Sequence, residues 1–241
     1  MHICVVGTHQ YQWALWPFAG LFYKYWGPGT VTYCGDRLEG ELPDNLEFVQ
    51  VPAYLMGEWP WESWFGNGLR SYLETVDDPI VALFLPDHWI CDMVHDDLVL
   101  ALHDYMLEHE DVVRGNLTAG TPLDQYGELL DTWEGIEIIG VSPTHPHASL
   151  NGGMTFCPSL WNREWLIKLL EPSWDLWQCE TLGTRKVAEE GLRAVGTRPP
   201  ALRRVHGLSH RQPETVFLEG LRGEDWALVR RHLPEGWRAE G

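Results

Sequence analysis

Along the first half of this 241-residue chain, short apolar runs that stop at turn residues alternate with stretches of helical period. The runs His2–Gly7, Thr30–Gly35, Leu46–Val51 and Ile80–Asp87 predict buried strands. Apolar positions spaced three and four apart predict helices over roughly Tyr11–Trp26, Leu69–Val76, Asp96–Glu110, Asn162–Leu170, Arg185–Val195 and Glu224–Leu233. Pro17 falls inside the first of these, and proline costs about 3 kcal/mol in a helix interior. The helix is therefore expected to begin near Pro17, leaving His9 to Trp16 as a loop. Strands alternating with helices imply an α/β fold, a mostly parallel sheet with helices on its faces. Ligands of such sheets sit beyond the carboxyl ends of the strands, which directs attention to Thr8, His9, Gly35, Asp36, Pro86, Asp87 and His88. Residues 115 to 160 are rich in Gly, Pro, Ser, Thr and His, with further strands expected near Ile136–Val141 and Met154–Cys157. No repeat or long linker interrupts the pattern, so one domain over 1–241 is the expectation.

Charge changes this picture in one respect. The net charge is −18, and residues 1–150 hold 23 acids against only Lys24, Arg37, Arg70 and Arg114. An acidic front half argues against broad, nonspecific binding to duplex nucleic acid. The stretch 185–211 is locally basic, with Arg185, Lys186, Arg193, Arg198, Arg203, Arg204 and Arg211 against Glu189 and Glu190. Such a stretch either meets a diphosphate or acidic acceptor or forms a solvated helix face. The five cysteines are widely spaced and form no CxxC pair, which fits free thiols in a reducing compartment. No apolar run approaches the ~20 residues of a membrane span, and the start of the chain lacks a signal-peptide pattern. A cytoplasmic protein without membrane contact is expected. Fourteen tryptophans supply more rings than a core needs, and some are candidates for stacking on sugars or bases.

The sharpest chemical signal is Ile80-Val81-Ala82-Leu83-Phe84-Leu85-Pro86-Asp87-His88-Trp89, an apolar strand ending in a carboxylate. A strand end fixes its last side chain with little freedom, which suits a metal or ribose ligand. The same Asp would also serve as a plain turn cap. His206 and His210 stand four apart, and His145-Pro146-His147 is a second histidine pair. The sequence contains no GxSxG, P-loop, GxGxxG or HExxH, which lowers the odds of a serine hydrolase, NTPase, Rossmann dehydrogenase or zincin.

Several segments, taken in order, resemble small GT-A-like glycosyltransferases found in phage, bacterial and metagenomic genomes. They are Trp13-Ala14-Leu15-Trp16-Pro17-Phe18-Ala19 with Tyr25-Trp26, Trp64-Phe65-Gly66-Asn67-Gly68-Leu69 and Leu85-Pro86-Asp87-His88-Trp89. Leu160-Trp161-Asn162-Arg163-Glu164-Trp165-Leu166 and Trp177-Gln178-Cys179-Glu180-Thr181-Leu182-Gly183-Thr184-Arg185 follow. The resemblance implies a GT-A-like sheet with a C-terminal helical segment, residues 1–115 holding a nucleotide-sugar donor and 116–241 facing a hydroxyl acceptor. That acceptor is a glycan, a protein or a modified DNA base; a non-catalytic carbohydrate- or nucleotide-binding protein on the same scaffold is the rival reading. Asp87 becomes the surviving acid of a DxD-like metal site, with Pro86 where a second acid is usual. Asp92, His206 or His210 would complete a site for Mn or Mg, or the enzyme works without metal and Arg185 with its basic neighbours takes over part of the phosphate neutralisation. Glu180 becomes the acceptor-side catalytic acid. Thr8, Asp36, Trp64 and Arg185 join Asp87 in binding the donor, and Trp89 and Trp177 are the candidate sugar platforms.

Overall fold

The computed structural model describes residues 1–51, 64–118, 127–140, 153–209 and 212–240. The chain opens with β1 (His2–Gly7), a 3-10 turn (His9–Ala14), α1 (Leu15–Tyr25), β2 (Val31–Gly35) and β3 (Leu46–Gln50). It continues through α2 (Trp64–Leu73), β4 (Ile80–Phe84), β5 (His88–Ile90), α3 (Asp96–Glu108) and β6 (Val112–Asn116). Next come β7 (Glu128–Trp133), β8 (Ile136–Gly140), β9 (Ser159–Asn162), α4 (Arg163–Leu169) and α5 (Leu176–Glu189). The last elements are β10 (Arg193–Arg198), β11 (Arg204–His206), β12 (Leu208–Ser209), β13 (Gln212–Phe217), α6 (Gly223–Arg231) and β14 (Arg238–Glu240).

Nine strands form one sheet in the order β3-β2-β1-β4-β9-β6-β10-β8-β7, and all but β9 and β8 run the same way. The fully apolar strands predicted in the front half sit at its middle, because their side chains are buried on both faces. On β4, Ile80, Ala82 and Phe84 join the core beneath α1 and α3, while Val81 and Leu83 join the core beneath α2, α4 and α5. Two apolar layers thus sandwich the sheet. Each wholly buried Phe or Leu contributes about 1.5–3 kcal/mol by leaving water. The expected C-terminal helical segment is α6, accompanied by a small sheet of β12, β13 and β14. Asp225 of α6 is buried and accepts hydrogen bonds from Tyr25 Oη and Lys24 Nζ, both at 2.7 Å, which anchors α6 to α1.

Several boundaries differ from the sequence expectation, among them the start of α2 at Trp64 in place of Leu69. The segment from His9 to Ala14 is a 3-10 turn rather than a loop, and α1 starts at Leu15. Pro17 remains in the first helical turn, where backbone N–H groups have no partner to lose. β4 stops at Phe84, so Asp87 is not its last residue: Leu85, Pro86 and Asp87 turn the chain, closed by His88 N–H donating to Leu85 O at 3.1 Å. The helix expected at Arg185–Val195 is instead α5, which starts with Asp175 and Gln178 in a reciprocal cap and is followed by Gly191 at φ 68°. Met154 to Cys157 belong to no strand; the ladder between β4 and β6 is β9. All five cysteines are free. Among the described residues no helix is long and apolar enough to cross a membrane.

Candidate functional site

β5 and β11 form a two-stranded antiparallel ladder off the end of β4, with Arg204 opposite Ile90, Val205 opposite Trp89 and His206 opposite His88. Gly207 N–H then donates to Asp87 O at 2.9 Å. Gly207 is required there, since a Cβ at that position would lie 2.5 Å from the Trp89 ring. This register brings His206 Nε2 to 3.0 Å from Asp87 Oδ2. The His88 and His206 rings meet edge to face, their centroids 4.9 Å apart. Asp87, His88 and His206 each offer one ligand atom, and those atoms all lie within 4.8 Å of one another.

The three groups differ in what their surroundings do to them. Burial pushes the Asp87 carboxyl up, but the His206 hydrogen bond, the neighbouring imidazoles and its own backbone N–H outweigh it, and its pKa lies below the ordinary value. Burial lowers His88 to about 3, with Asp87 opposing and Arg204 and His206 adding to the fall, so the ring is neutral at neutral pH. With His88 neutral, His206 carries most of the stabilisation of the Asp87 anion. His206 itself is 44% exposed and gives the cluster its open side.

A row of polar side chains runs from beside this cluster to Glu180, its first step being adjacency on one strand and not a hydrogen bond. Arg204 lies two residues before His206 on the same face of β11, and its Nη2 donates to Cys157 Sγ at 3.1 Å. Thr155 Oγ1 stands 3.6 Å from that sulfur and donates to Glu180 Oε1 at 3.1 Å. Phe156 N–H donates to the same oxygen at 2.8 Å. Beneath lies Arg114, wholly buried, with Nη1 donating to Thr155 O at 3.1 Å and its guanidinium 5.8 Å from the Trp161 ring centre. Burial lowers Arg114 to about 10, so it stays charged at neutral pH. For Glu180, burial outweighs the two donors and the charges of Arg114 and His206, and its pKa is raised. A carboxylate whose ionisation is disfavoured but not abolished is suited to accepting a proton.

The 3-10 turn borders the same edge. Burial and the charge of Asp87 both push the Tyr11 phenol up, so this turn and Asp87 are neighbours. On the turn's other side, His9, Gln12, Trp13, Trp16, Glu39 and Glu41 line a cavity of ≈ 470 Å³. Gln12 holds its wall together, donating to Glu39 O at 2.6 Å and accepting from Glu39 N–H at 2.8 Å.

Of the residues singled out from sequence, the structure thus groups Asp87 and His206 and connects them to Glu180. Asp36 follows β2 directly but gives both oxygens to His9, accepting from the backbone N–H at 2.7 Å and bonding the ring Nδ1. Thr8 keeps a buried hydroxyl without a partner. Arg185 is exposed on α5, and five residues of helix turn it about 140° from Glu180. Trp89 is a correction: it is wholly buried, packed edge-on against Trp13, and donates from Nε1 to Pro86 O at 3.0 Å. A ring with no exposed face is no sugar platform. Trp177 is 54% exposed, one turn ahead of Glu180 on α5. Asp92 forms ion pairs with Arg203 and Arg222 instead of joining Asp87. Trp64 opens α2, but its side chain lies outside the described residues, as do His210 and the pair His145 and His147. Sequence reasoning marked His88 only as a strand-end residue and Arg204 only as part of a basic stretch, and it gave Cys157 and Arg114 no place in the site. The signal for Arg114 was present: it is the one base in an apolar strand.

No family model matches the chain, and no curated protein does. Solved structures do. The mannosyltransferase PcManGT from Pyrobaculum calidifontis, in complex with GDP-Man and Mn2+, has a TM-score of 0.52 at 13% identity, over 88% of this chain and 58% of that one. The fold is GT-A-like. TarS 1-349 from S. aureus, in complex with UDP, has a TM-score of 0.49 at 14% identity, over 97% of this chain and 64% of that one. This chain therefore spans less than two thirds of the length of either. At 13% identity the likeness to PcManGT shows the GT-A-like fold and leaves the chemistry to the residues.

Proposed function

We propose that this GT-A-like protein is a glycosyltransferase that moves a sugar from a nucleoside diphosphate to a hydroxyl group. The observation that carries the reading is the Asp87–His206 pair at the open strand edge, beside which Arg204, Cys157 and Thr155 run to the raised carboxyl of Glu180. Residues 1–115 form the donor half and 116–241 the acceptor half. The base and ribose of the donor enter the cavity between Trp13, Trp16 and Glu41, close to Thr8 and Asp36. The pyrophosphate reaches Asp87 and His206, which would hold a divalent cation of the Mn or Mg kind. Bound there, the cation supplies positive charge against the leaving nucleoside diphosphate. The PcManGT structure, which contains GDP-Man and Mn2+, supports this reading by analogy of fold.

The protein's own groups account for the remaining steps. Glu180 accepts the proton of the attacking hydroxyl, and its bonds from Phe156 and Thr155 hold one oxygen while the other faces the acceptor. Arg204 sets its charge beside the departing phosphate, a preorganised cation that costs no reorganisation during transfer. Trp177 offers its exposed ring to the acceptor. The acceptor is a glycan, a protein or a modified DNA base, and the protein acts in the cytoplasm, that of the host cell if it is phage-encoded.

The test is a panel of UDP- and GDP-sugars with and without manganese, read by nucleoside diphosphate release and by thermal shift. Release with one donor, lost in Asp87→Asn, supports transfer. Saturable binding without release favours a carbohydrate- or nucleotide-binding protein on the same scaffold, and neither signal ends both readings.

A further inference from the structure

Pro86 supplies no carboxylate beside Asp87, and Asp87 alone is a poor partner for magnesium, which wants oxygen ligands and sheds its water reluctantly. The structure offers something else in that place. His88 is 4% exposed, its Nδ1 is buried with no hydrogen-bond partner, and its ring meets that of His206 across the β5–β11 ladder. A buried imidazole nitrogen left without a partner loses hydration with nothing in return. Its ligand atom belongs to the cluster in which Asp87, His88 and His206 all approach within 4.8 Å. Backbone pairing fixes the two histidines relative to each other, and Gly207 N–H fixes Asp87.

We propose that His88 is the third protein ligand of a two-histidine, one-carboxylate centre, and that this centre selects late first-row divalent ions such as cobalt and zinc over magnesium. The inference rests on the cation-binding part of the proposed function and is independent of sugar transfer. Charge and ligand chemistry point the same way. The set carries one negative charge, and the Arg204 guanidinium stands close enough to act on His88. Little net charge is left to hold a hard cation by attraction alone. Imidazole nitrogen binds late transition ions more tightly, with manganese at the weak end of that series. The exposed side of His206 leaves positions open for phosphate oxygens or water.

The test uses the whole protein stripped with a chelator and titrated separately with Mg2+, Mn2+, Co2+ and Zn2+ by calorimetry, with the visible spectrum of Co2+ followed in parallel. Co2+ and Zn2+ are expected to bind about tenfold or more tighter than Mn2+, and about a hundredfold or more tighter than Mg2+. His88→Gln and His206→Gln should each lower Co2+ affinity about tenfold or more and change its absorption band. Because a buried substitution can disturb folding, a measurement on the unaltered protein stands beside them. Co2+-loaded protein should show hyperfine-shifted imidazole N–H protons from two histidines, which His232→Gln leaves in place. One such proton, or Mg2+ binding as tightly as Co2+, overturns the inference even if sugar transfer is found. Two protons with the expected ion order uphold it even if no nucleotide sugar turns over, and that outcome counts against the transferase alone.

Discussion

Asp87 and Glu180 are the two acids of the candidate site, and their surroundings treat them oppositely. Asp87 lies in the turn between β4 and β5, where the imidazole of His206 overcomes the cost of burial and keeps the carboxyl ionised. Glu180 lies on α5, where burial prevails over two hydrogen-bond donors and the charge of buried Arg114, and ionisation is held back. Two carboxyl groups pushed apart in this way are fitted to different work, one to hold positive charge and one to take up a proton. The polypeptide also builds the two ends differently. The Asp87 end is a rigid strand junction, whereas the Glu180 end is a helix docked against the extended segment of Thr155 and Phe156.

The comparison breaks most visibly at Asp87. Replacing it with Asn removes the anion and keeps the shape. Turnover of the active donor should fall on the order of 10³-fold, with an unchanged circular dichroism spectrum and weaker metal affinity in calorimetry. Intact turnover would mean that the strand-edge acid is only a turn cap. Glu180→Gln should cost about 10²- to 10⁴-fold in turnover while leaving metal affinity alone. The pH profile carries the sign. Glu180 must be ionised to accept a proton, so kcat/KM of the unaltered enzyme rises with pH through its raised pKa, at higher pH than an ordinary glutamate at 4.5 would give. The variant should lose that acid limb. An acid limb that survives belongs to another group and dismisses Glu180 as the base.

How these ends read in the sequence follows from how locally each is built. β1, β2 and β4 are continuous apolar runs, and such runs declare a buried parallel strand without any knowledge of the partner. Asp87 stood out for the same reason, although Pro86 moves it into the turn. β11 carries no such mark: Arg204, Val205 and His206 make a strand only because His88, Trp89 and Ile90 lie opposite. The grouping of His88 with His206 was therefore invisible, since β5 and β11 are brief and distant in sequence. Gly183 is the reverse case. It sits inside α5 rather than before it, and it is a glycine because Met154 Sδ would be 2.3 Å from any Cβ there. The tryptophans show a further limit. Trp89 and Trp177 look alike as residues beside candidate acids, yet one is wholly buried and the other 54% exposed.

Arg114 acts on the Glu180 end and offers a way to sharpen the contrast without touching either acid. Arg114→Met removes a buried cation and leaves Thr155 O without its donor. The remaining charge near Glu180 should then be uncompensated, with a loss of about 3 kcal/mol in urea unfolding. The acid limb of kcat/KM should move to higher pH, because one of the groups pulling the Glu180 pKa down has gone. A limb that stays in place would show that the Phe156 and Thr155 donors alone govern Glu180.

Asp111 supplies the smallest effect and the control. Like Asp87 it has a lowered pKa, but the cause is a surface partner: Arg193 donates from Nε and from Nη2, the latter at 2.9 Å, and this hydrogen bond outweighs a modest burial cost. Among the described residues Asp111 belongs to no cluster of three groups that could hold a metal ion. A depressed carboxyl pKa in the folded state contributes stability above the unfolded value of about 3.9 and loses it as pH falls through the folded value. The Asp111 side chain is 47% exposed, so solvent screening keeps the contribution below about 1 kcal/mol. Asp111→Asn should therefore lower unfolding free energy slightly at neutral pH, with the difference closing in strong acid and turnover unchanged. If Asp87→Asn showed only this small, acid-reversible loss and no change in metal affinity, the two lowered carboxyls would be alike, and the strand-edge pair would be an ion pair and nothing more.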